Sequence, residues 1–93
     1  MTLAITYWTA SGRNPNIPGA VISNEGVAIS GTSAQSATTP ANADYVSLLA
    51  GEDTRFLYNS ANPTALATSP LINSGERIWL DAKPGYKVAG IAG

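Results

Sequence analysis

The sequence predicts an all-β protein: a small, jelly-roll-like β-sandwich of about seven short antiparallel strands that forms a single domain over residues 1–93. Apolar and polar residues alternate with a period of two in most regular segments, which is the pattern of strands with one buried face. Turn-forming Gly, Pro and Asn separate these segments at short intervals. No run of ten residues carries an apolar stripe at helical spacing, so almost no helix is expected.

The first strand is predicted close to residue 1. Leu3, Ile5 and Tyr7 alternate with small or polar residues and with Trp8, so they are expected to form the buried face of this strand. Residues 12–19 follow and are dense in Gly, Asn and Pro. We expect this segment to be irregular and to reach outside the sandwich, because Pro cannot donate to a ladder.

A hairpin is predicted next. Two β-prone runs, residues 20–23 and 27–30, are joined by Asn24, Glu25 and Gly26. Asn and Gly tolerate the positive φ that a tight turn requires, so the two runs are expected to pair with each other.

Small, polar, uncharged residues dominate the segment 31–43. Such a segment suits either an exposed arm that adapts to a partner, or else a surface loop or an edge strand. Like residues 12–19, it is expected to be irregular and to reach outside the sandwich.

The second half of the sequence is more regular. Strands are predicted at residues 45–50 and 54–58, joined as a second hairpin by residues 51–53. A long loop covers residues 59–70, in which the Asn-Pro-Thr-Ala stretch 62–65 has the cap and the proline that can open one helical turn.

The chain then returns to strand. Leu71–Ile72 begins a strand that the turn 73–75 interrupts, and residues 76–81 form the next strand. Residues 83–85 are predicted to turn, and residues 86–92 form the final strand.

Residue types that carry most catalysis and metal binding are missing. The sequence has no Cys and no His, which excludes Ser–His and Cys–His catalysis, disulfides and Cys/His zinc sites. Glu52 and Asp53 are adjacent and would point to opposite faces of an extended chain, so they do not form a catalytic pair. No calcium loop or Gly-rich nucleotide motif occurs. We therefore predict a protein that is not an enzyme and has no metal or cofactor.

The charge and the hydropathy of the sequence limit the classes of partner that the protein can bind. The net charge of −1, with 12% of residues charged, leaves no basic patch for phosphates, so nucleic acid is not an expected partner. No apolar stretch is long enough for a bilayer, and the first eight residues lack the pattern of a signal peptide. The protein is expected to be made in the cytoplasm, with no membrane partner. A weakly charged surface suits a protein that packs against others.

Trp79 is the first candidate for an interface residue. Strand parity places it with the charged residues Arg77 and Asp81, on the face opposite Ile78 and Leu80. A Trp that points outward beside an Arg can anchor an interface, although a sheet covered on both faces would make it a core residue.

Trp8 is a second candidate, because it lies on the face opposite Leu3, Ile5 and Tyr7. The predicted interface residues are therefore Trp79, Arg77 and Trp8. The other aromatic residues are interpreted as core or half-buried sheet residues.

Residues 43–91, about half of the chain, carry a set of short motifs. In order they are Tyr45-Val46-x-Leu48, Phe56-x-Tyr58, Asn62-Pro63-Thr64-Ala65, Leu71, Gly75-Glu76, Ile78 and Pro84-Gly85-x-Lys87-Val88-Ala89-x-Ile91. This half of the chain resembles small structural proteins of tailed-phage virions and prophages. The resemblance implies a β-sandwich that coats or cements an icosahedral head by binding the major capsid protein, as a homotrimer at a symmetry axis.

The expected function is therefore that of a capsid decoration (cement) protein on the capsid surface of the virion. Two alternatives remain open. The chain could be a carbohydrate- or receptor-binding module of a phage fibre, in which Trp79 or Trp8 stacks on a sugar ring. It could also be a head–tail or tail structural component, which differs in its place on the particle.

Overall fold

The protein is described here by a computed structural model, which covers residues 2–10, 18–60 and 63–93. These residues form eight strands and no helix, which confirms the predicted all-β class. The strands are β1 (Thr2–Ala10), β2 (Pro18–Ala28), β3 (Ala34–Gln35), β4 (Tyr45–Ala50), β5 (Thr54–Asn59), β6 (Leu71–Ile72), β7 (Arg77–Asp81) and β8 (Lys87–Ala92).

The strands form two antiparallel sheets of four, packed face to face as the predicted sandwich. One sheet has the order β2-β1-β4-β7 and the other the order β3-β8-β5-β6. The strand pairs enclose one another along the sequence: β5 pairs with β6, the flanking strands β4 and β7 pair with each other, and so do β3 and β8. A jelly roll has the same order, with a last strand after β8 that pairs with β2. Here β1 pairs with β2 and takes the place of that last strand.

The core lies between the sheets and is built from alternate residues of the strands. In β1, Leu3, Ile5 and Tyr7 are buried, as the period of two predicts. Val46 and Leu48 of the neighbouring β4 are fully buried beside them. The core also includes Val27, Ile29, Ala43, Ala50, Ile72 and Val88.

The outward side of the sheet β3-β8-β5-β6 is partly covered by the loop 63–70. The loop is tied to one edge of the sheet, where Ser33 Oγ accepts a hydrogen bond from the Ala65 N–H (2.9 Å). Near the other edge, the Phe56 N–H donates to the Pro70 carbonyl (3.0 Å). Ala65 is buried, and so is Ala89 of β8, which lies between these two edges. The loop therefore covers part of this side, while Leu71 of β6 stays 42% exposed.

The predicted hairpin at residues 24–26 is wrong, because β2 runs unbroken through these residues. Glu25 and Gly26 pair with Ile5 and Ala4 of β1. The Glu25 carboxylate accepts hydrogen bonds from the Tyr7 hydroxyl (3.0 Å) and the Ala37 N–H (3.1 Å). Gly26 serves packing rather than a turn, since a Cβ there would lie 2.7 Å from Thr2 Cγ2.

The predicted hairpin around residues 51–53 is also wrong, although the strands on either side of it are confirmed. β4 and β5 belong to different sheets, because both sides of β4 are taken by β1 and β7. Residues 51–53 therefore form a corner between the sheets. Gly51 approaches β1 closely there: its N–H donates to the Thr2 carbonyl (3.1 Å), and a Cβ would lie 2.8 Å from that oxygen.

The segment 31–43 does not reach outside the sandwich as expected. It includes the edge strand β3, and Ser36 and Thr39 are buried polar residues. Ser36 Oγ accepts the Val88 N–H (2.9 Å), and Thr39 Oγ1 donates to the Tyr86 carbonyl (2.9 Å). Their hydroxyls satisfy backbone groups of β8 and of the residue before it, which holds the segment against the sheet.

The remaining turn predictions have mixed outcomes. The turns at 73–75 and 83–85 are confirmed, with Gly75 and Gly85 at positive φ. Of the segment 12–19, residues 12–17 lie outside the described residues, whereas Pro18 and Gly19 belong to β2 instead of an irregular segment. Of the stretch 62–65, Asn62 is not described, and residues 63–65 form no helical turn.

Tyr7 makes the stability of the protein sensitive to high pH. Burial raises the pKa of its phenol above the ordinary value near 10, and the Glu25 carboxylate raises it further. The folded state therefore keeps this proton at a pH at which the unfolded chain releases it. We expect the free energy of unfolding to fall above about pH 10, by up to about 1.4 kcal/mol per pH unit.

Denaturant titrations from pH 8 to 11 on the wild type and on Tyr7→Phe measure this effect. The variant should lack this component of the slope. Tyr86→Phe is the control: it leaves the Tyr7 phenol in place and should keep the slope. Equal slopes in wild type and Tyr7→Phe would contradict the assignment.

Candidate functional site

The sheet β2-β1-β4-β7 turns one side away from the core, and this side is called the outer face. Side chains alternate along each strand, so Trp8 of β1 lies on the outer face while Tyr7 points inward. In β7, Arg77, Trp79 and Asp81 are exposed on the outer face. The outward position that strand parity predicts for Trp79 is what the structure shows: its side chain is 45% exposed.

Trp8 and Trp79 meet on the outer face although their strands are not neighbours. Their ring centroids are 5.5 Å apart, with a tilt of 53° between the ring planes. The strand β4 lies between them, and its Ser47 is directly opposite Trp79 in register. The Trp8 Nε1–H donates to Ser47 Oγ (3.1 Å), and Ser47 is 2% exposed although it belongs to the outer face. A small residue at position 47 lets the two indoles approach each other over β4.

Further side chains extend this aromatic pair across the sheet. Tyr45 of β4 is directly opposite Trp8, and Asp81 of β7 is directly opposite Tyr45. On the other side of Trp8, its partner in β2 is Val21, which is 49% exposed. We refer to Trp8, Tyr45 and Trp79 as the aromatic face.

Small side chains make up much of the rest of the outer face on β1 and β2. Thr6 pairs with Asn24, and Ala4 pairs with Gly26, so the side chains there are small. Arg77 lies opposite Leu49 at the same end of the sheet as this small-residue region. The aromatic face thus lies beside a region of smaller side chains, and Trp79 has one basic and one acidic side chain of β7 on either side of it.

The outer face offers a surface for contact with a partner instead of an enclosed site. The described residues form no pocket, and they include no group of three or more Asp or Glu side chains that could hold a metal ion. A partner of this face would be held by apolar contact with the rings and by hydrogen bonds at its rim. No helix in the described part of the chain is long and apolar enough to cross a membrane.

The structure brings two of the three predicted interface residues into contact and places the third nearby. Trp8 and Trp79 form the ring pair, whereas Arg77 lies two residues from Trp79 on the same side of β7. Sequence reasoning missed Tyr45 as a member of this face. The alternation of Tyr45 with the buried Val46 and Leu48 could have indicated it. No signal in the sequence identifies Ser47.

No known protein family matches the sequence, and neither a curated protein nor a solved structure is significantly similar to the chain.

The exposure of Trp79 determines what its removal should cost. Trp79→Ala removes a ring contact with Trp8 and part of a half-exposed side chain, so we expect a loss of about 1–2 kcal/mol of unfolding free energy. Leu48→Ala in the core should cost about 2–5 kcal/mol. Urea unfolding of the three proteins gives both values. A Trp79→Ala loss as large as that of Leu48→Ala would mean that the indole supports the core.

Proposed function

We propose that this protein is a structural component of a tailed-phage particle: a head decoration (cement) protein that binds the major capsid protein and catalyses no reaction. The resemblance of residues 43–91 supports the place on a phage particle. The aromatic face supports the binding role and is the observation that carries it. Trp79 is exposed on this face, whereas the outward side of the other sheet is covered in part by the loop 63–70.

The composition of the face suits a protein partner. Trp, Tyr and Arg are the residues that most often dominate binding energy at protein interfaces, and Trp8, Tyr45, Trp79 and Arg77 share one side of one sheet. The Trp8 ring is already held by Trp79 and by its hydrogen bond to Ser47. A ring that is fixed before binding loses little conformational entropy when the partner arrives.

The proposed mechanism is stabilisation by mass action. A protein that binds the assembled shell but not its dissociated subunits lowers the free energy of the shell by RT ln(1 + [L]/Kd). At a free concentration of about 100 Kd this amounts to about 2.7 kcal/mol for each site. Because a capsid offers many equivalent sites, a modest gain at each site adds up over the particle.

Binding to shells assembled from the major capsid protein of the same genome tests this proposal. Trp79→Ala should weaken binding by about 30- to 1,000-fold, the typical effect of losing an interface anchor of 2–4 kcal/mol. Leu66→Ala is the matched control: Leu66 is 57% exposed but lies in the loop 63–70, away from the aromatic face. It should leave binding unchanged.

The salt dependence adds a second criterion. The net charge of −1 gives little long-range attraction, so binding should change little between about 50 and 200 mM salt. Equal loss of binding in the Trp79 and Leu66 variants, or binding that disappears over this salt range, would contradict the proposed role of the aromatic face.

A second candidate function is carbohydrate binding, which one observation favours. Tilted indoles on an open sheet, with Arg77 and Asp81 beside them, offer both a stacking surface and hydrogen-bonding groups for a sugar ring. Titration with neutral oligosaccharides, followed by tryptophan fluorescence, tests it. Saturable binding that Trp79→Ala abolishes, without binding to shells, would favour the sugar module over the capsid protein.

A further inference from the structure

The four edges of the two sheets are not equally protected. β3 and β6 are edge strands of two residues each, which is too short to guide another strand. β2 begins with Pro18 and shows two register shifts at the end that pairs with Trp8 and Ala10, although its residues 23–28 keep one register against β1. β7 is regular along its whole length: it has five residues, keeps one register along β4 and contains no Pro. Among the described strands, β7 has a neighbour on one side only. A regular edge with no further strand beside it in the described part of the chain is a template for another strand.

The register shows which backbone groups of β7 are available. At its two ends, the Ala50 N–H donates to the Glu76 carbonyl and the Ala82 N–H donates to the Asp44 carbonyl. In an antiparallel ladder the residues alternate between the two sides, so even-numbered residues of β7 face β4. The backbone N–H and C=O groups of Arg77, Trp79 and Asp81 therefore point to the open edge.

The sequence of this edge is complementary to itself. When β7 is placed antiparallel to a copy of itself with Trp79 opposite Trp79, Arg77 lies opposite Asp81 of the second copy, and the reverse pair forms at the other end. A displacement by two residues in one direction places Arg77 opposite Lys83, which brings like charges together. In the other direction Arg77 lies opposite Trp79 and Asp81 opposite Gly75, so both pairs of opposite charges are lost. Charge thus favours the centred register.

We propose that β7 pairs with β7 of a second copy of this chain, antiparallel and centred on Trp79, to form a twofold dimer. Each of the three facing residue pairs exchanges two backbone hydrogen bonds, about six in all. The two sheets join into one continuous sheet with the aromatic faces side by side. On the inner side, Ile78 and Leu80 remain partly exposed in the single chain, and the dimer places each opposite the other.

A dimer of this kind closes at two copies, because the same strand serves both partners. The trimer that the phage resemblance implies requires a different contact. Self-association is measured on the free protein and does not depend on capsid binding. If both occur, the dimer presents two aromatic faces to the shell and gains affinity through effective concentration.

Charge exchange between Arg77 and Asp81 is the sharpest test. Sedimentation velocity over a dilution series should give a mass of twice 9.5 kDa for the wild type. Arg77→Asp and Asp81→Arg each place like charges opposite one another at both ends of the pair. Each single variant should raise the dimer dissociation constant by about 10- to 100-fold. The double variant R77D/D81R restores opposite charges and should return the dimer to near the wild-type value.

Two controls make the result specific. Lys87→Glu changes a charge on β8, which is an interior strand of the other sheet, and should leave the mass unchanged. Thermal melting of each variant under dissociating conditions should match the wild type, since residues 77 and 81 are exposed. Amide hydrogen exchange gives an independent readout: the N–H groups of Arg77, Trp79 and Asp81 should become protected as concentration rises.

Four results would overturn the proposal: a monomer at all concentrations up to about 1 mM, a mass of three chains, single variants that dimerise like the wild type, or a double variant that stays dissociated. Association without protection of these three amides would also overturn it, since it would indicate contact through another surface instead of the β7 edge.

Discussion

The position of β1 is the constraint on which the rest of the structure depends. β1 is bonded on both sides, to β2 and to β4, and its Leu3 and Ile5 are fully buried between the two sheets. Without β1 the sheet β2-β1-β4-β7 would separate into β2 alone and the pair β4-β7, and the pairing of β1 with β2 would be lost. The same strand fixes the corner between the sheets, because the Thr2 carbonyl accepts the Gly51 N–H. It also carries Trp8 to the outer face, where the ring reaches Trp79.

Local pattern was sufficient to predict the strands of the second half and the class of the fold, and insufficient to predict how strands are shared between sheets. The period of two marks one buried face, so the strands at 45–50, 54–58, 71–72 and 76–81 were found to within a residue or two. Turn-forming residues report only that the backbone is free to bend. Whether it bends depends on strands distant in sequence. Gly26 stays extended because it pairs with Ala4 of β1. Gly51 lies at a corner between the sheets because β4 already has β1 and β7 as neighbours.

The candidate site also has features that the sequence predicts and features that it does not. Parity along one strand was enough to place Trp79 and Arg77 outward, because Ile78 and Leu80 fix the inner side of β7. The contact between Trp8 and Trp79 could not be predicted, since their strands come from opposite ends of the sequence and meet across β4 only in the folded sheet. Ser47 has no sequence signal at all. Ser47 matters because it is small enough to lie beneath the two rings and accepts the Trp8 hydrogen bond. The chain contains many other serines, and nothing in the sequence separates Ser47 from them.

An open edge and an exposed aromatic ring on one strand would ordinarily be a hazard, because a regular edge accepts strands in many registers and can propagate into aggregates. The charges of β7 change that outcome. In the proposed pairing, Arg77 and Asp81 stabilise the centred register, and a displacement by two residues loses both of these charge pairs. On the opposite edge of the sheet, Pro18 and the register shifts interrupt one end of β2. The proposed pairing uses the same strand of both copies, so it ends at two chains and does not continue into a filament. Specificity at this edge therefore comes from two exposed charges, and the aromatic face remains available for a different partner.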